Sequence, residues 1–145
     1  MIQRIQSVWL FLAALISAGL FYFGVYKADT VVNGVTVTEL LKATNHYPLL
    51  LIALVTIILP LVAIFMFKNR KRQISLAVIG IISNISFLTV TMMKVGNINN
   101  TVPTPVNSTY LPGAVLPVVS MVFLILAIRG IRKDEKLVKS VDRLR

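Results

Sequence analysis

The chain has 145 residues, of which 57% are hydrophobic and 14% are charged, and its formal net charge is +10. Soluble domains carry about 25% charged residues, so a chain with so few would leave little polar surface to face water. The chain has no cysteine, which excludes disulfides, thiolate metal sites and a cysteine nucleophile. A strongly basic soluble protein would favour nucleic-acid binding, but the positions of these charges indicate a membrane topology and no nucleic-acid partner.

Four long runs of the sequence contain no charged residue. They cover Val8–Tyr26, Pro48–Phe67, Ile74–Met93 and Leu111–Ile128. A helix rises about 1.5 Å per residue, so about 20 apolar residues cross the ~30 Å hydrocarbon core of a bilayer. The runs predict an all-α membrane protein in which residues 1–145 form a single bundle of four transmembrane helices. Residues 129–145 follow the last run as a basic tail.

The first run has a second interpretation, because Arg4 followed by apolar residues is also typical of a secretory signal. A signal has an apolar region of about 7–15 residues and ends in small residues at its cleavage site. This run is longer and ends in the aromatic residues Phe21, Tyr22, Phe23 and Tyr26. We expect it to remain as the first membrane span.

Lysine and arginine are distributed unevenly between the connections. Twelve of the 15 lie in the N-terminus, the connection at residues 68–73 and the tail, whereas only Lys27, Lys42 and Lys94 lie on the other side. Short cytoplasmic segments carry the excess of positive charge in membrane proteins. We therefore expect a multi-pass protein of the bacterial inner membrane, with both termini in the cytoplasm.

The two connections on the predicted outer side differ from the inner one. Between Thr30 and Thr38, two β-branched runs flank Asn33-Gly34, a dipeptide that suits the turn of a β-hairpin. The sequence predicts a short hairpin there and a helical turn at residues 38–44. The second outer connection is rich in Asn, Thr and Pro and is predicted to be extended.

The third run contains one amide in its middle, Asn84, and an unpaired amide is costly in hydrocarbon. At helical spacing it shares a stripe with Gln73, Ala77, Gly80, Phe87 and Thr91. We expect this stripe to face the bundle interior, with Asn84 making a hydrogen bond between helices. The alternative is a polar lining for a substrate path, with kinks at Pro60 and Pro117 acting as gates.

The tail predicts an amphipathic cytoplasmic helix. From Arg132 onward its apolar residues fall on one side and its basic residues largely elsewhere; the apolar ones are Leu137, Val138, Val141 and Leu144. A basic amphipathic helix beside a membrane is typical of binding to anionic lipid headgroups. The alternative is a docking surface for a cytoplasmic protein partner.

The sequence predicts no metal, cofactor or catalytic site. His46 is the only histidine, and only Asp29 and Glu39 are acidic in its loop, so we interpret it as a solvated residue at the membrane interface. Paired carboxylates, an acid within a run and a glycine-rich phosphate loop are all missing from the sequence. We therefore expect no enzymatic activity.

Three stretches of the chain resemble a known family. They are Met1–Gln6, Phe67–Ile74 and Ile131–Arg145. Together they are similar to the bacterial family called domain of unknown function 4293, whose members have this length and four predicted spans. The sequence departs from that pattern at Arg72 and Val141, where an apolar and a small residue would be expected. The resemblance implies a bacterial integral membrane protein with no assigned function.

All three stretches lie on the predicted cytoplasmic side, so we expect the function to be localised there. The candidate residues for contact with lipid or a protein partner are Arg70, Lys71, Arg132, Lys133, Asp134, Glu135, Asp142 and Arg143. The leading hypothesis is a non-enzymatic accessory or scaffold protein that acts through this loop and tail. The competing hypothesis is a small transporter or channel subunit that uses the polar stripe around Asn84.

Overall fold

The computed structural model describes residues 3–32, 34–100 and 104–142, and the side chains of residues 5–32, 34–100 and 104–137. Most of these residues are helical. The helices are α1 (Gln3–Ala18), α2 (Tyr47–Phe65), α3 (Arg70–Asn99) and α4 (Leu116–Asp142). A small antiparallel sheet consists of β1 (Tyr26–Val32), β2 (Val35–Leu41) and β3 (Asn107–Tyr110).

The helices pack in the order in which they occur along the chain, and α4 closes the arrangement by packing on α1. Only residues 66–69 separate α2 from α3, and such a short connection makes neighbouring helices antiparallel. The start of α1, this connection and the C-terminal part of α4 come together at one end of the bundle. We call it the basic end, and we call the opposite end, which carries the sheet, the sheet end.

Each helix buries one stripe of residues at helical spacing. On α3 the buried residues are Gln73, Ala77, Gly80, Asn84, Phe87, Thr91, Val95 and Ile98. The predicted inward stripe of the third run is therefore confirmed. On α1 the buried stripe is Gln6, Leu10, Ala13 and Ser17, and on α4 it is Ser120, Leu124, Ala127, Ile131 and Asp134.

The contact between α1 and α4 is close because small side chains line it. The hydroxyl oxygens of Ser17 and Ser120 lie 2.9 Å apart, and Ser120 also donates to the carbonyl of Ala13 at 3.2 Å. These hydroxyls are buried and paired within the bundle, which avoids the free-energy cost of burying an unpaired polar group. Toward the basic end, the rings of Trp9 and Phe123 stack with their centroids 5.7 Å apart.

The predicted hairpin is confirmed, and Gly34 has the positive φ of +81° that its turn requires. Asn33 lies outside the described residues. The structure adds β3, which pairs antiparallel with β1, so that the strand order is β2-β1-β3. Tyr26, Ala28 and Leu41 are buried against the bundle and attach the sheet to it.

Three expectations about local structure were wrong. The first helical run does not reach Tyr26: α1 ends at Ala18, a 3₁₀ turn covers Gly19–Phe21, and Tyr26 begins β1. The backbone becomes extended there because β1 is the central strand and pairs on both sides. Residues 38–41 continue β2, and helical structure in this connection is limited to a 3₁₀ turn at Ala43–Asn45. Pro117 stands at the second position of α4, where proline is favourable, and therefore does not interrupt the helix.

The bundle leaves most of its apolar surface uncovered. Among the described residues, three helical segments are long and apolar enough to cross a membrane: α2 (Tyr47–Phe65), α3 (Arg70–Asn99) and Pro112–Leu137, which joins a 3₁₀ turn to most of α4. In their most apolar windows only 28%, 28% and 33% of the residues are buried. Ile5–Phe21 forms a shorter apolar helix. Side chains such as Leu51 (63% exposed) and Met92 (67% exposed) face outward. An apolar surface this extensive indicates association with a membrane.

Candidate functional site

The basic end brings together the three stretches that carry the family resemblance. Gln6 lies in the first turns of α1, Arg70 begins α3, and Asp134 lies in the part of α4 beyond the apolar run. Gln6 and Asp134 are separated by 128 residues in sequence. Each stands at the end of the buried stripe of its helix, so the packing of α1 on α4 makes the two side chains meet.

The side-chain amide of Gln6 donates a hydrogen bond to a carboxylate oxygen of Asp134, Nε2 to Oδ2. Both residues are buried, with 5% of Gln6 and 6% of Asp134 exposed. Gly130 makes room for this contact, because a Cβ atom there would lie 3.0 Å from Cγ of Gln6. The other carboxylate oxygen of Asp134, Oδ1, is buried and accepts no hydrogen bond from the described residues.

The connection between α2 and α3 is fixed to the same place. The guanidinium of Arg70 donates to the backbone carbonyl of Asp134 at 3.2 Å. Asn69 caps α3 by accepting from the backbone N–H of Arg72 at 3.3 Å, which determines where the helix begins. The loop and the tail part of α4 are therefore held together, and the joint of Gln6, Asp134 and Arg70 connects α1, α3 and α4.

A cleft of about 450 Å³ opens beside this joint. It is lined by Phe67, Lys68, Asn69, Arg70, Lys71 and Glu135. Three of these residues are basic and one is acidic, so the cleft carries a net positive charge. It also lies at the N-terminus of α3, where the helix dipole adds partial positive charge. This arrangement can attract an anionic group.

The predicted contact residues are distributed unevenly around the cleft. Arg70, Lys71 and Glu135 line it, whereas Arg132 and Lys133 are exposed on α4 and are not part of its lining. Asp134 was expected to contact lipid or a protein partner. Its side chain is instead buried and covered by Gln6. The side chain of Asp142 and the whole of Arg143 lie outside the described residues, as do the side chains of Val138, Val141 and Leu144.

Gln6 was not predicted as a site residue. The available signal was its spacing, because Gln6 precedes Leu10, Ala13 and Ser17 at intervals of one helical turn. A polar residue that continues an inward stripe needs a partner at the same depth of the bundle. The sequence alone does not identify that partner, since no local pattern connects α1 to a residue in the tail.

A family model described as a domain of unknown function, DUF4293, matches residues 2–144. The chain belongs to this family. No curated protein sequence and no solved structure matches the chain. Membership in DUF4293 supports the resemblance found in the sequence, and the joint at the basic end shows that its three stretches meet in space.

Asn84 is fully buried in α3, as expected, but its hydrogen bond is not the expected one. Its Nδ2 donates to the carbonyl of Gly80 in the same helix at 2.9 Å. The predicted hydrogen bond between helices is therefore wrong. Its Oδ1 and the hydroxyl of Thr91 are buried and have no hydrogen-bond partner among the described residues.

Other candidate sites were also assessed. Within residues 3–32, 34–100 and 104–142, no group of three or more His, Asp or Glu residues is arranged to hold a metal ion. His46 is half-buried at the start of α2, and it lines a second cavity at the sheet end together with Glu39 and Lys94.

The joint at the basic end predicts a non-additive response to mutation. Gln6→Ala leaves the buried carboxyl group of Asp134 without its donor, and we expect it to lower the free energy of unfolding by about 1–3 kcal/mol. Gln6→Ala combined with Asp134→Ala should cost less than the sum of the two single variants, since the pair interacts directly. Unfolding in mixed micelles, followed by the fluorescence of the single tryptophan, Trp9, measures both effects.

The matched control is Lys133→Ala, which removes an exposed charge from the neighbouring position of α4. We expect it to change the free energy of unfolding by less than about 0.5 kcal/mol. Additive effects of Gln6→Ala and Asp134→Ala on the free energy of unfolding would contradict a direct interaction between these two side chains.

Proposed function

We propose that the chain is a four-span protein of the bacterial inner membrane whose basic end lies in the cytoplasm. In this role it is a non-enzymatic accessory or scaffold protein, and its cleft binds anionic lipid headgroups and positions a cytoplasmic protein partner. The observation that carries the proposal is the cleft itself, which three basic residues line at the end of the bundle where most of the positive charge is gathered.

The proposal includes α1 as a fourth span although it is shorter than the other three helices. α1 packs lengthwise against α2 and α4, both of which are long enough to cross a bilayer. Residues on its outer side, including Phe11 and Leu15, are 53% and 58% exposed. Apolar side chains at this depth of the bundle require the same hydrocarbon surroundings as those of α2 and α4.

The distribution of charge supports the proposed orientation. Lys68, Arg70, Lys71 and the basic residues of α4 all belong to the basic end, and the sheet end has only Lys27, Lys42 and Lys94. This imbalance favours a cytoplasmic basic end by the positive-inside rule. The cytoplasmic leaflet is also rich in anionic lipids, which attract basic residues by about 1 kcal/mol each near the surface.

Headgroup binding predicts a specific loss of lipid affinity. Lys68→Gln combined with Lys71→Gln removes two charges from the cleft, and we expect the affinity for phosphatidylglycerol to fall about 30-fold. Native mass spectrometry of the purified protein, titrated with short-chain phosphatidylglycerol in neutral detergent, measures this affinity.

The matched control is Lys27→Gln combined with Lys42→Gln, which removes the same charge from the sheet end. This control should retain the affinity of the wild type. If both double variants lose affinity equally, the binding depends on net charge alone and the cleft is not the site.

A second candidate function is a small transporter or channel subunit. Two observations favour it: Oδ1 of Asn84 and the hydroxyl of Thr91 are buried without partners among the described residues. Unsatisfied polar groups inside a bundle are costly, and water in a transport path would satisfy them. The accessory role is the stronger proposal because Asn84 is 0% exposed and is surrounded by packed side chains.

Single cysteines separate these two functions, because the natural chain has none. In the accessory protein, Asn84→Cys lies in a packed interior and should not react with a membrane-impermeant maleimide in intact membrane vesicles. Thr36→Cys, exposed on β2, is the reactive control in vesicles that present the sheet end. Labelling of Asn84→Cys at a rate close to that of Thr36→Cys would favour the transport path.

A further inference from the structure

A cavity of about 200 Å³ lies at the sheet end, away from the basic cleft. It is lined by Glu39, His46, Lys94, Asn97 and Ile98. These residues come from three parts of the fold, since Glu39 is near the end of β2, His46 precedes α2, and the others belong to the last turns of α3. The topology therefore gathers an acidic, a basic and an imidazole side chain around one small space.

The charged and imidazole side chains of this cavity have no protein partners in the part of the chain that the structure describes. There, Glu39, His46 and Lys94 make no side-chain hydrogen bond or salt bridge with one another or with other residues. His46 is the N-cap residue of α2, and its side chain does not cap the helix. Opposite charges that face one cavity without pairing remain available to a ligand.

The nearby charged side chains of β1, in contrast, are paired with each other and with a neighbouring hydroxyl. Lys27 and Asp29 form a salt bridge of 3.3 Å, and Thr38 donates to Asp29 at 2.6 Å. The hydrogen bond from Thr38 and the interaction with Lys27 hold the pKa of Asp29 below its ordinary value. These groups satisfy each other, whereas the groups around the cavity at the sheet end do not.

The charges of the cavity define the kind of ligand that fits it. Lys94 can pair with an anionic oxygen, and the N-terminus of α2 beside it adds partial positive charge. Glu39 can accept hydrogen bonds from an ammonium group. A ligand that satisfies both is a short zwitterion with a phosphate at one end and a primary ammonium at the other. His46 and Asn97 add further polar contacts for the phosphate oxygens.

The position of the cavity favours a lipid as the source of this zwitterion. Exposed aromatic side chains, Tyr22, Phe23, Tyr47 and Tyr110, surround the same end of the bundle. Tyrosine and other amphipathic aromatic residues are enriched at the level of lipid headgroups. Since Tyr47 directly follows His46, the cavity lies at headgroup depth if the bundle spans a bilayer.

We propose that the cavity at Glu39, His46 and Lys94 binds the phosphoethanolamine headgroup of a membrane lipid. The site rests on the membrane placement given under the proposed function, but it does not depend on the basic cleft. Glu39 recognises the ammonium and Lys94 recognises the phosphate. A phosphatidylcholine headgroup is expected to bind more weakly, because its trimethylammonium has no N–H to donate to Glu39.

The test uses the purified chain of 145 residues in neutral detergent, titrated with short-chain phosphatidylethanolamine and with phosphatidylcholine of the same acyl length. Native mass spectrometry gives the two affinities. We expect the wild type to prefer phosphatidylethanolamine, and Glu39→Gln or Lys94→Met to weaken its binding about tenfold or more. Lys42→Met removes the same charge from the same end without altering the cavity lining, and it should bind like the wild type.

The same zwitterion could belong to a lipid headgroup or to a free small molecule, and soluble O-phosphoethanolamine distinguishes these two ligands. Weak competition by this compound supports the lipid, whereas binding as tight as that of the lipid supports the same site with a free zwitterion as its ligand. Equal affinity for phosphatidylcholine, or unchanged affinity in both Glu39→Gln and Lys94→Met, overturns the proposal. Binding of phosphatidylglycerol at the basic cleft is measured separately, so a failure at one end does not affect the result at the other.

Discussion

The structure depends on one constraint, which is that the outer surfaces of the helices are apolar and favour a membrane over water. Polar side chains on these surfaces obey the same constraint. Ser86 and Thr89, on the outer side of α3, donate to the carbonyls of Ile82 and Ile85 in their own helix at 3.0 Å. Such back-bonding satisfies a hydroxyl without water. Thr56, inside the bundle, donates in the same way to a carbonyl of α2.

In the proposed membrane placement, the helices have little apolar driving force to hold them together, because lipid chains are as apolar as leucine. Specific contacts must therefore determine the packing. Ser17 and Ser120 provide one such contact between α1 and α4, and Gln6 with Asp134 provides another at the basic end. The second contact also fixes the cleft, because Arg70 binds the backbone of the same Asp134. Packing of the helices and the geometry of the candidate site are thus parts of one arrangement.

Much of this fold could be predicted from the sequence. The runs beginning at Pro48, Ile74 and Leu111 indicated three of the helices, because uncharged apolar stretches of this length are typical of helices that cross a membrane. The spacing of Gln73, Gly80 and Asn84 indicated which side of α3 is buried. Asn-Gly between β-branched residues indicated the hairpin. Each of these signals is local in sequence.

The features that were missed depend on contacts between distant segments. β3 has the polar sequence Asn-Ser-Thr-Tyr and all four residues are exposed, so no hydrophobic alternation marks it as a strand. Its pairing with β1 also explains why α1 ends before Tyr26. The candidate site was found only in part, since Arg70, Lys71 and Glu135 were predicted from charge and resemblance, whereas the burial of Asp134 under Gln6 required the packing of α1 on α4.

The most direct test of the account is the membrane topology of single-cysteine variants. Cysteines placed at Gln3, Thr36 and Lys133 are labelled with an impermeant maleimide in intact cells and again after the membrane is opened. Before labelling, the outer membrane is made permeable while the inner membrane stays closed. Four spans with a cytoplasmic basic end predict that Thr36→Cys reacts in these cells. The cysteines at positions 3 and 133 should react only after the inner membrane is opened. Labelling of Gln3→Cys together with Thr36→Cys in closed cells would contradict α1 as a span. A protein that remains monomeric in water without detergent would contradict the membrane bundle as a whole.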